Sequence, residues 1–300
     1  MKVFSSLSLF LLLIACQTSD MTPESSGSFD WQGHRGARGL VPENPVAAML
    51  KALAYPQVKT LEMDVAVTGD GVIVLSHEPW CSAEICSLPD GNPVTEAEAD
   101  TLRIYSMTFD QLQQIDCGKR GHPRFPEQQA QAAAKPSLEQ VVTAVNQYCT
   151  AHQRPQPRYN IEIKSQPDYD GVYTPPVNEF VSMLIAEVNR LGIRDQSCLQ
   201  SFDTRALEAI HRLDTSITTA YLIENLDAVP TNLERLSYLP PIYSPDYKLL
   251  TANAVAALHQ LGMKVIPWTV NDSTTMKTLM EMGVDGIITD YPNRIPAAVN

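Results

Sequence analysis

Ionisable residues of this 300-residue chain gather in three short runs that could carry out acid–base and metal chemistry. The runs are His34-Arg35-Gly36, Glu62-Met63-Asp64 with His77 after it, and Glu162-Ile163-Lys164. Two histidines and three carboxylates can hold a divalent cation and move two protons. Arg35 and Lys164 favour an anionic substrate, because a guanidinium or ammonium group pairs with phosphate oxygens that a carboxylate repels. The runs therefore predict metal-assisted attack on a phosphodiester.

The first residues of the chain predict export and lipid attachment. Residues 3–15 are apolar or hydroxylic and too few to span a bilayer, so residues 1–15 indicate a signal peptide. Leu13-Ile14-Ala15-Cys16 resembles a bacterial lipoprotein cleavage box, in which the cysteine carries the lipid. The alternative is ordinary secretion with a cut near Cys16. Gln17, rather than Asp, follows the cysteine, which favours the outer membrane, facing the periplasm, in a Gram-negative host.

Residues 16–29 are rich in Ser, Thr, Asp and Glu and predict a flexible tether. Residues 30–300 have the length of one large α/β domain, and a 44% hydrophobic composition agrees with a globular fold. The net charge of -12 argues against nucleic acid, which needs clustered Lys and Arg. It also disfavours general adhesion to anionic membranes, so the lipid is the expected membrane contact. No obligate protein partner is indicated.

Short β-type runs alternate with helical patterns, which is typical of βα units and a parallel sheet. The predicted strands are residues 30–34, 60–66, 159–164, 198–202, 219–223, 242–246, 264–269 and 286–289. The predicted helices are residues 45–54, 137–152, 177–191, 204–213, 226–236, 252–261 and 273–282. Eight such strands favour a (β/α)8 TIM barrel with its site at the carboxyl ends of the strands. The alternative, an open doubly wound sheet, lacks a glycine-rich phosphate loop here and would scatter the ionisable residues.

A further apolar run, residues 72–76, follows Thr68-Gly69-Asp70-Gly71. Asp-Gly is a strong hairpin signal, so this run is expected to fold back antiparallel on the second strand. The hairpin returns His77 to the level of Glu62 and Asp64. Residues 78–136 are too long for a plain loop and predict a capping insertion after the second strand.

Five cysteines follow Cys16, and export makes disulfides the expectation. Cys81 and Cys86 are near enough in sequence to close a loop. Cys149 and Cys198 each precede a predicted strand and could meet at one end of the barrel. Because the count is odd, the connectivity stays open. None of the five shows the paired spacings of a zinc site.

In this order, the motifs resemble those of the glycerophosphodiester phosphodiesterase family of the phosphodiesterase TIM-barrel superfamily. The matching segments are His34-Arg35-Gly36, Pro42-Glu43-Asn44, residues 62–65, residues 68–71, His77, residues 161–164, Ser201-Phe202-Asp203, residues 268–271 and residues 283–292. The ordered series covers nearly all of residues 30–300.

The resemblance implies a role for each candidate residue. The implied set is Glu62, Asp64 and Glu162 as ligands of one Mg²⁺ or Ca²⁺ ion, His34 and His77 as general acid and base, and Arg35 and Lys164 as phosphate contacts. Trp268 would belong to the core or form an aromatic wall for the glycerol moiety. Glu43 could touch the metal, cap a helix or brace a ligand, and Asp290 is expected to satisfy neighbouring groups rather than to be catalytic. The implied products are sn-glycerol 3-phosphate and an alcohol.

Two other functions remain open at this point. Lysophospholipase D-like or sphingomyelinase D-like cleavage on a related barrel would call for an apolar groove in the insertion, whose composition is mixed, with many Gln and Asp. A non-enzymatic surface-binding lipoprotein would be expected to have lost at least one of the five acid–base or metal residues. The head group, the choice between Ca²⁺ and Mg²⁺, the roles of the two histidines and the nature of the attacking hydroxyl also stay open.

Overall fold

A computed structural model describes residues 29–297 of the chain. The strands are β1 (Asp30–Gly33), β2 (Val58–Val67), β3 (Ile73–Leu75), β4 (Arg158–Ile163), β5 (Ser197–Ser201), β6 (Thr218–Ile223), β7 (Ile242–Pro245), β8 (Lys264–Val265) and β9 (Gly286–Thr289). The α-helices are α1 (Val46–Leu53), α2 (Glu96–Ala99), α3 (Phe109–Leu112), α4 (Leu138–Ala151), α5 (Val177–Arg190), α6 (Thr204–Leu213), α7 (Val229–Leu233), α8 (Ala252–Gln260) and α9 (Ser273–Glu281). The predicted signal peptide, Cys16 and all of the tether before residue 29 lie outside the described residues.

Eight of the strands form one parallel sheet in the order β8-β7-β6-β5-β4-β2-β1-β9. Backbone bonds between the ends of this order bring the sheet into a nearly closed ring: Ile288 N donates to Pro267 O at 3.0 Å, and Val270 N donates to Ile288 O at 3.0 Å. The predicted (β/α)8 barrel is confirmed. Within residues 29–297, no helix combines the length and apolarity that crossing a bilayer requires.

Strand alternation separates the core from the site. On β2, Leu61 and Met63 are fully buried in the apolar layer between the sheet and the helices. Glu62 and Asp64 alternate with them, so their side chains point into the barrel. On β4, Ile161 and Ile163 pack outward in the same way, with Glu162 between them. A period of two thus places Glu62, Asp64 and Glu162 on the inner face.

Two predicted elements are shorter in the structure. The strand expected over residues 264–269 ends at Val265, although Trp268 still pairs with Asp246 through an isolated parallel bridge. The helix expected over residues 226–236 is reduced to α7, which begins after Ala228 with Pro230 in its first turn. Proline suits a first helical turn, where its missing N–H leaves no bond unmade, and it cannot lie further inside.

The predicted hairpin is present, with β3 antiparallel to β2 and Val65 opposite Leu75. Ser76 N donates to Asp64 O at 3.0 Å, which brings the next residue, His77, beside the carboxylates. Residues 78–136 then form an ordered cap that contains α2 and α3. A second hydrophobic cluster joins the buried Ile104 and Leu112 of the cap to Ala66 and Val74 of the β2–β3 hairpin.

The cysteine pairing differs from both expected pairs. Cys86 is bonded to Cys117, with 3.9 Å between their Cα atoms. Their neighbours Ser87 and Asp116 exchange backbone hydrogen bonds of 2.6 and 3.1 Å, and this antiparallel bridge aligns the two cysteines. Neither Cys81 nor Cys149 nor Cys198 is bonded to another described cysteine.

The expected pair of Cys149 with Cys198 is wrong because the sheet lies between them. Cys149 packs into the apolar layer under α4, on the outside of the barrel. Cys198 alternates with the outward Leu199, so it faces the inside of the barrel, where it lines a cavity at the amino-terminal end of the strands. Cys81 is fully buried within the second hydrophobic cluster.

Candidate active site

A cavity of about 650 Å³ opens at the carboxyl ends of the barrel strands. It is lined by seven of the residues singled out in the sequence, namely His34, Arg35, Glu62, His77, Glu162, Lys164 and Trp268. Asp64 lies next to them and is 1% exposed. The volume falls within the range that suits a small organic ligand.

Three buried carboxylates cluster at the cavity, and two of them, Glu62 and Glu162, line it. In the register of the sheet, Asp64 on β2 lies opposite Glu162 on β4, and Glu62 is two residues before Asp64 on the same inner face. One oxygen from each of the three lies within 4.8 Å of the others, close enough to hold a metal ion. Oδ1 of Asp64 is buried without a hydrogen-bond partner. Such an oxygen is available as a ligand.

Two cations partly neutralise this trio. Lys164 Nζ lies 2.7 Å from Glu162 Oε1 and 3.7 Å from Asp64 Oδ1, and Arg35 Nε lies 3.2 Å from Asp64 Oδ2. Burial, followed by repulsion from Asp64, raises the pKa of Glu62 well above its usual range. Burial also acts to raise the pKa of Asp64, but Arg35, His77 and Lys164 outweigh it and hold that pKa well below its usual range. The trio therefore still favours one more positive charge.

The turn after β1 places Arg35 over the carboxylates. Arg35 N donates to Glu62 Oε2 at 2.8 Å, and its Nη1 donates to Glu43 Oε1 at 2.8 Å. Gly36 has a φ of +81°, and a Cβ there would lie 2.4 Å from the backbone of Ala48 in α1. Only glycine fits this position, because both the backbone angle and the space exclude a side chain.

Glu43 pairs with arginines and is not among the three clustered carboxylates. Its Oε1 accepts from Arg35, and its Oε2 lies 3.5 Å from Arg38 Nη1. These two arginines overcome the effect of burial and hold the pKa of Glu43 below its usual value. Of the roles considered for Glu43, the structure therefore favours bracing of Arg35. The helix cap belongs to Pro45.

His34 is anchored from behind by Asp290. The ring Nδ1 lies 2.7 Å from Asp290 Oδ1, and Arg38 Nε donates to the same oxygen at 2.8 Å. His34 and Arg38 hold the pKa of Asp290 low in spite of its burial, so the carboxylate accepts the Nδ1 proton. The other ring nitrogen, Nε2, lies 3.9 Å from Glu62 Oε2. Burial, followed by Arg38, lowers the pKa of His34 to about 4.

His77 has a carboxylate partner of its own. Its Nδ1 lies 2.6 Å from Glu78 Oε1. Although Glu78 is largely desolvated, its hydrogen bond and charge interaction with His77 hold the pKa of Glu78 far below its usual value. The His77 side chain is 31% exposed, against 12% for His34. The two imidazoles thus share one cavity in different electrostatic settings.

Trp268 forms part of the cavity wall and is half-buried. Its Nε1 donates to Ser244 O at 2.8 Å, and its ring meets that of Phe202 edge-on at 5.5 Å. Both aromatic residues lie at the carboxyl ends of strands or just beyond them. Of the two positions left open for Trp268, core or cavity wall, the structure has the cavity wall.

Three contributors were missed in the sequence or given no part in the site: Arg38, Glu78 as the partner of His77, and Gln200. Asp290 was expected to satisfy neighbouring groups, but its pairing with His34 was not foreseen. Gln200 Nε2 donates to Glu62 Oε1 at 2.9 Å. The signal for Asp290 was present, because closing a barrel puts the last strand beside the first, and Thr289 pairs with Gly33. Gln200 could have been found from the inner-face alternation of β5.

The sequence of this chain is similar to those of known proteins. The model of the glycerophosphoryl diester phosphodiesterase family matches residues 34–294. A glycerophosphodiester phosphodiesterase of Bacillus subtilis is 24% identical over 96% of this chain and 95% of its own length. A glycerophosphodiester phosphodiesterase of Bacillus altitudinis is 27% identical over 87% of this chain and 94% of its own.

Solved structures of other proteins superpose on this chain. A putative glycerophosphoryl diester phosphodiesterase from Silicibacter pomeroyi superposes with a TM-score of 0.77 at 28% identity, covering 89% of this chain and 91% of that one. An Oleispira antarctica phosphodiesterase, solved with its product sn-glycerol-3-phosphate, superposes with a TM-score of 0.69 at 22% identity, covering 89% and 94% of the two chains. At 22% identity, the similarity to the Oleispira antarctica structure shows a shared fold alone.

Proposed function

Because this chain belongs to the glycerophosphoryl diester phosphodiesterase family, and is therefore a phosphoric diester hydrolase, we propose that it hydrolyses glycerophosphodiesters to sn-glycerol 3-phosphate and an alcohol in a reaction that depends on a divalent cation. The observation that carries this proposal is the convergence of two carboxylate-anchored histidines on the buried trio Glu62, Asp64 and Glu162 within one cavity. Proton-transfer groups and metal ligands of this kind are what cleavage of a phosphodiester needs.

The donor set suits Mg²⁺ or Ca²⁺. All three candidate ligands are carboxylates, which hard cations prefer, and Asp64 Oδ1 is buried without a partner. Arg35 and Lys164 supply two positive charges against three carboxylates, which leaves room for a cation. A divalent ion held there would polarise the phosphate and lower the pKa of a bound hydroxyl.

The histidines divide the proton transfers. His34 is neutral at pH 7, since its pKa is lowered to about 4, and Asp290 keeps the proton on Nδ1. Nε2 of His34 therefore takes the proton of the attacking hydroxyl. As the new P–O bond forms, the bond to the alcohol oxygen breaks, and His77 donates a proton to that oxygen. Glu78 holds the His77 ring in place through its 2.6 Å contact with Nδ1.

Arg35 and Lys164 would bind the non-bridging phosphate oxygens and stabilise the charge that develops on them. Both side chains are held by carboxylates, Arg35 by Glu43 and Lys164 by Glu162, so their positions are set before substrate arrives. Trp268 would pack against the glycerol moiety from the other side of the cavity.

The test is release of glycerol 3-phosphate from glycerophosphodiesters by the full-length chain in EDTA, and then with Mg²⁺ or Ca²⁺ restored. We expect release only with the cation, and its loss by at least about 100-fold in His34→Ala and His77→Ala. A matched control is His152→Ala, which changes an exposed histidine at the end of α4. Release that is unaffected by EDTA, or near-normal rates in either active-site variant, would contradict the proposal.

We also propose that the chain is exported and anchored by lipid on Cys16 in the bacterial cell envelope, at the outer membrane facing the periplasm. The support is the cleavage-box pattern at residues 13–16. Radiolabelled palmitate should be incorporated into the wild type and not into Cys16→Ser. Equal labelling of the two would refute attachment at this cysteine.

A further inference from the structure

An aromatic corner stands at one side of the cavity, outside the catalytic groups. Trp80 and Tyr169 both line the cavity, and their rings are 6.1 Å apart at an interplanar angle of 89°. Tyr173 lies behind them, 5.5 Å from the Trp80 ring and 5.2 Å from the Tyr169 ring. The three rings therefore form one mutually packed cluster.

Two separate loops build this corner and hold it in place. Trp80 belongs to the cap and is fixed by an antiparallel bridge to Arg103, with Cys81 N donating to Leu102 O at 3.0 Å. Tyr169 ends the short 3-10 helix Pro167–Tyr169 after β4. Its carbonyl accepts bonds from the N–H groups of Tyr173 and Thr174 at 2.9 and 3.1 Å. Because backbone hydrogen bonds hold the two loops, the rings that the loops carry are preorganised for a ligand.

The corner is within reach of the group that leaves the phosphate. Trp80 is three residues after His77, a distance of at most about 10 Å along an extended chain. Tyr169 lines the same cavity as Lys164 and Glu78. The alcohol that leaves when His77 protonates its oxygen would therefore lie beside Trp80 and Tyr169.

The cluster already attracts a cation on its outer side. The guanidinium carbon of Arg103 lies 4.8 Å from the centre of the Tyr173 ring. Aromatic faces attract positive charge through the ring quadrupole, and they suit quaternary ammonium best because that group has no N–H to donate. A primary ammonium prefers hydrogen-bond acceptors and water. The carboxylate of Glu78, two residues before Trp80, lines the cavity and adds a negative charge that favours a cation there.

We propose that Trp80 and Tyr169 form a subsite for a quaternary ammonium head group, so that choline-type glycerophosphodiesters are preferred among the substrates. This inference rests on the function proposed above and names the alcohol that the site accepts. The cap and the loop after β4 thus select the head group, and the barrel supplies the catalytic groups.

The test compares three substrates that share the glycerophosphate part: glycerophosphocholine, glycerophosphoethanolamine and glycerophosphoglycerol. In the full-length chain, Trp80→Ala should lower kcat/KM for glycerophosphocholine by about tenfold and for the other two by less than about twofold. Trp80→Phe, which retains an aromatic face, should keep most of the preference. Tyr148→Ala removes an aromatic side chain from the outer helix α4 and should change none of the three rates.

A second measurement does not depend on turnover. Tetramethylammonium chloride should quench tryptophan fluorescence in the wild type, with the signal lost in Trp80→Phe, and should compete with glycerophosphocholine. An equal fall on all three substrates in Trp80→Ala, or no quenching by tetramethylammonium in the wild type, would overturn the subsite while leaving the diesterase function standing. Absence of release from all three substrates by the wild type would instead refute the diesterase function, and the quenching would still decide the subsite.

Discussion

Asp290 Oδ1 lies 2.7 Å from Nδ1 of His34, although the two residues are 256 positions apart in the chain. The carboxylate accepts the Nδ1 proton and thereby turns the unprotonated Nε2 toward Glu62. Asn271 Nδ2 donates to the second oxygen of Asp290 at 2.7 Å and fixes its orientation. Asp290 therefore acts as a positioning residue that sets the tautomer of His34.

Replacing Asp290 with Asn should lower kcat by about 100-fold or more, because an amide can donate to Nδ1 and stabilise the wrong tautomer. KM should change little, since Asp290 is not expected to touch substrate. The measurement is steady-state kinetics of glycerol 3-phosphate release. A matched control is Asp285→Asn, which alters the other Asp–His pair of the described chain, Asp285 with His259 at 2.9 Å, far from the cavity. A fall confined to KM would contradict this role.

The pH profile should depend on Arg38. Burial and Arg38 lower the pKa of His34 to about 4, so the neutral, proton-accepting form persists as the pH falls to 5. In Arg38→Gln the lowering effect of the charge is lost, the His34 pKa rises, and the acidic limb of kcat/KM should move to higher pH. The ratio of kcat/KM at pH 5 to that at pH 7 measures this shift.

The control for this profile is Arg124→Gln, which removes an arginine that lines the same cavity but is 63% exposed. Its profile should follow that of the wild type. An acidic limb that stays in place in Arg38→Gln would mean that another group controls it.

Cation binding should stabilise the fold through the trio. Saturation to about 100 times Kd adds about 2.7 kcal/mol to the free energy of unfolding, which raises Tm by on the order of 5 °C. Glu62→Gln should abolish most of this rise, because it removes one of three ligands. It should also remove a buried carboxyl whose pKa is raised by burial and then by repulsion from Asp64.

Calorimetry with Mg²⁺ and with Ca²⁺, each compared with EDTA, measures the Tm rise. Glu139→Gln removes an exposed carboxylate on α4 and should leave it unchanged. If Glu62→Gln keeps the full rise, the cation binds elsewhere.

The cap should depend on its disulfide. Cys86 and Cys117 are 31 residues apart, and removing a cross-link of that span costs about 2 to 4 kcal/mol of unfolding free energy. We expect this loss in the double variant Cys86→Ser with Cys117→Ser, measured by denaturant unfolding without reductant. Cys198→Ser serves as the control, since Cys198 has no bonded partner among residues 29–297.

Peptide mapping without reduction provides the direct check. Cys86 and Cys117 should appear in linked peptides, and Cys81 should be alkylated after denaturation. Linkage of Cys81 to Cys86, the pair that sequence proximity had suggested, would show the disulfide to be misassigned.

Much of the barrel could be predicted from residue patterns. The predicted barrel has its site at the carboxyl ends of the strands, and Glu62, Asp64 and Glu162 lie at or near such ends, so they were expected to come together. The β2–β3 hairpin followed from Asp70-Gly71 and located His77 correctly. Element ends were less predictable, as in the strand expected to reach residue 269, because tertiary hydrogen bonds decide where a strand stops.

By itself, the sequence determined the order of strands and helices and the residue types at strand ends, because side-chain period and turn chemistry are local properties. Only the tertiary structure decided which distant groups meet. Closure of the barrel brings Asp290 to His34, and the folding of the cap pairs Cys86 with Cys117. The meeting of Trp80 with Tyr169 is of the same kind, since it depends on how two loops pack after their strands have ended.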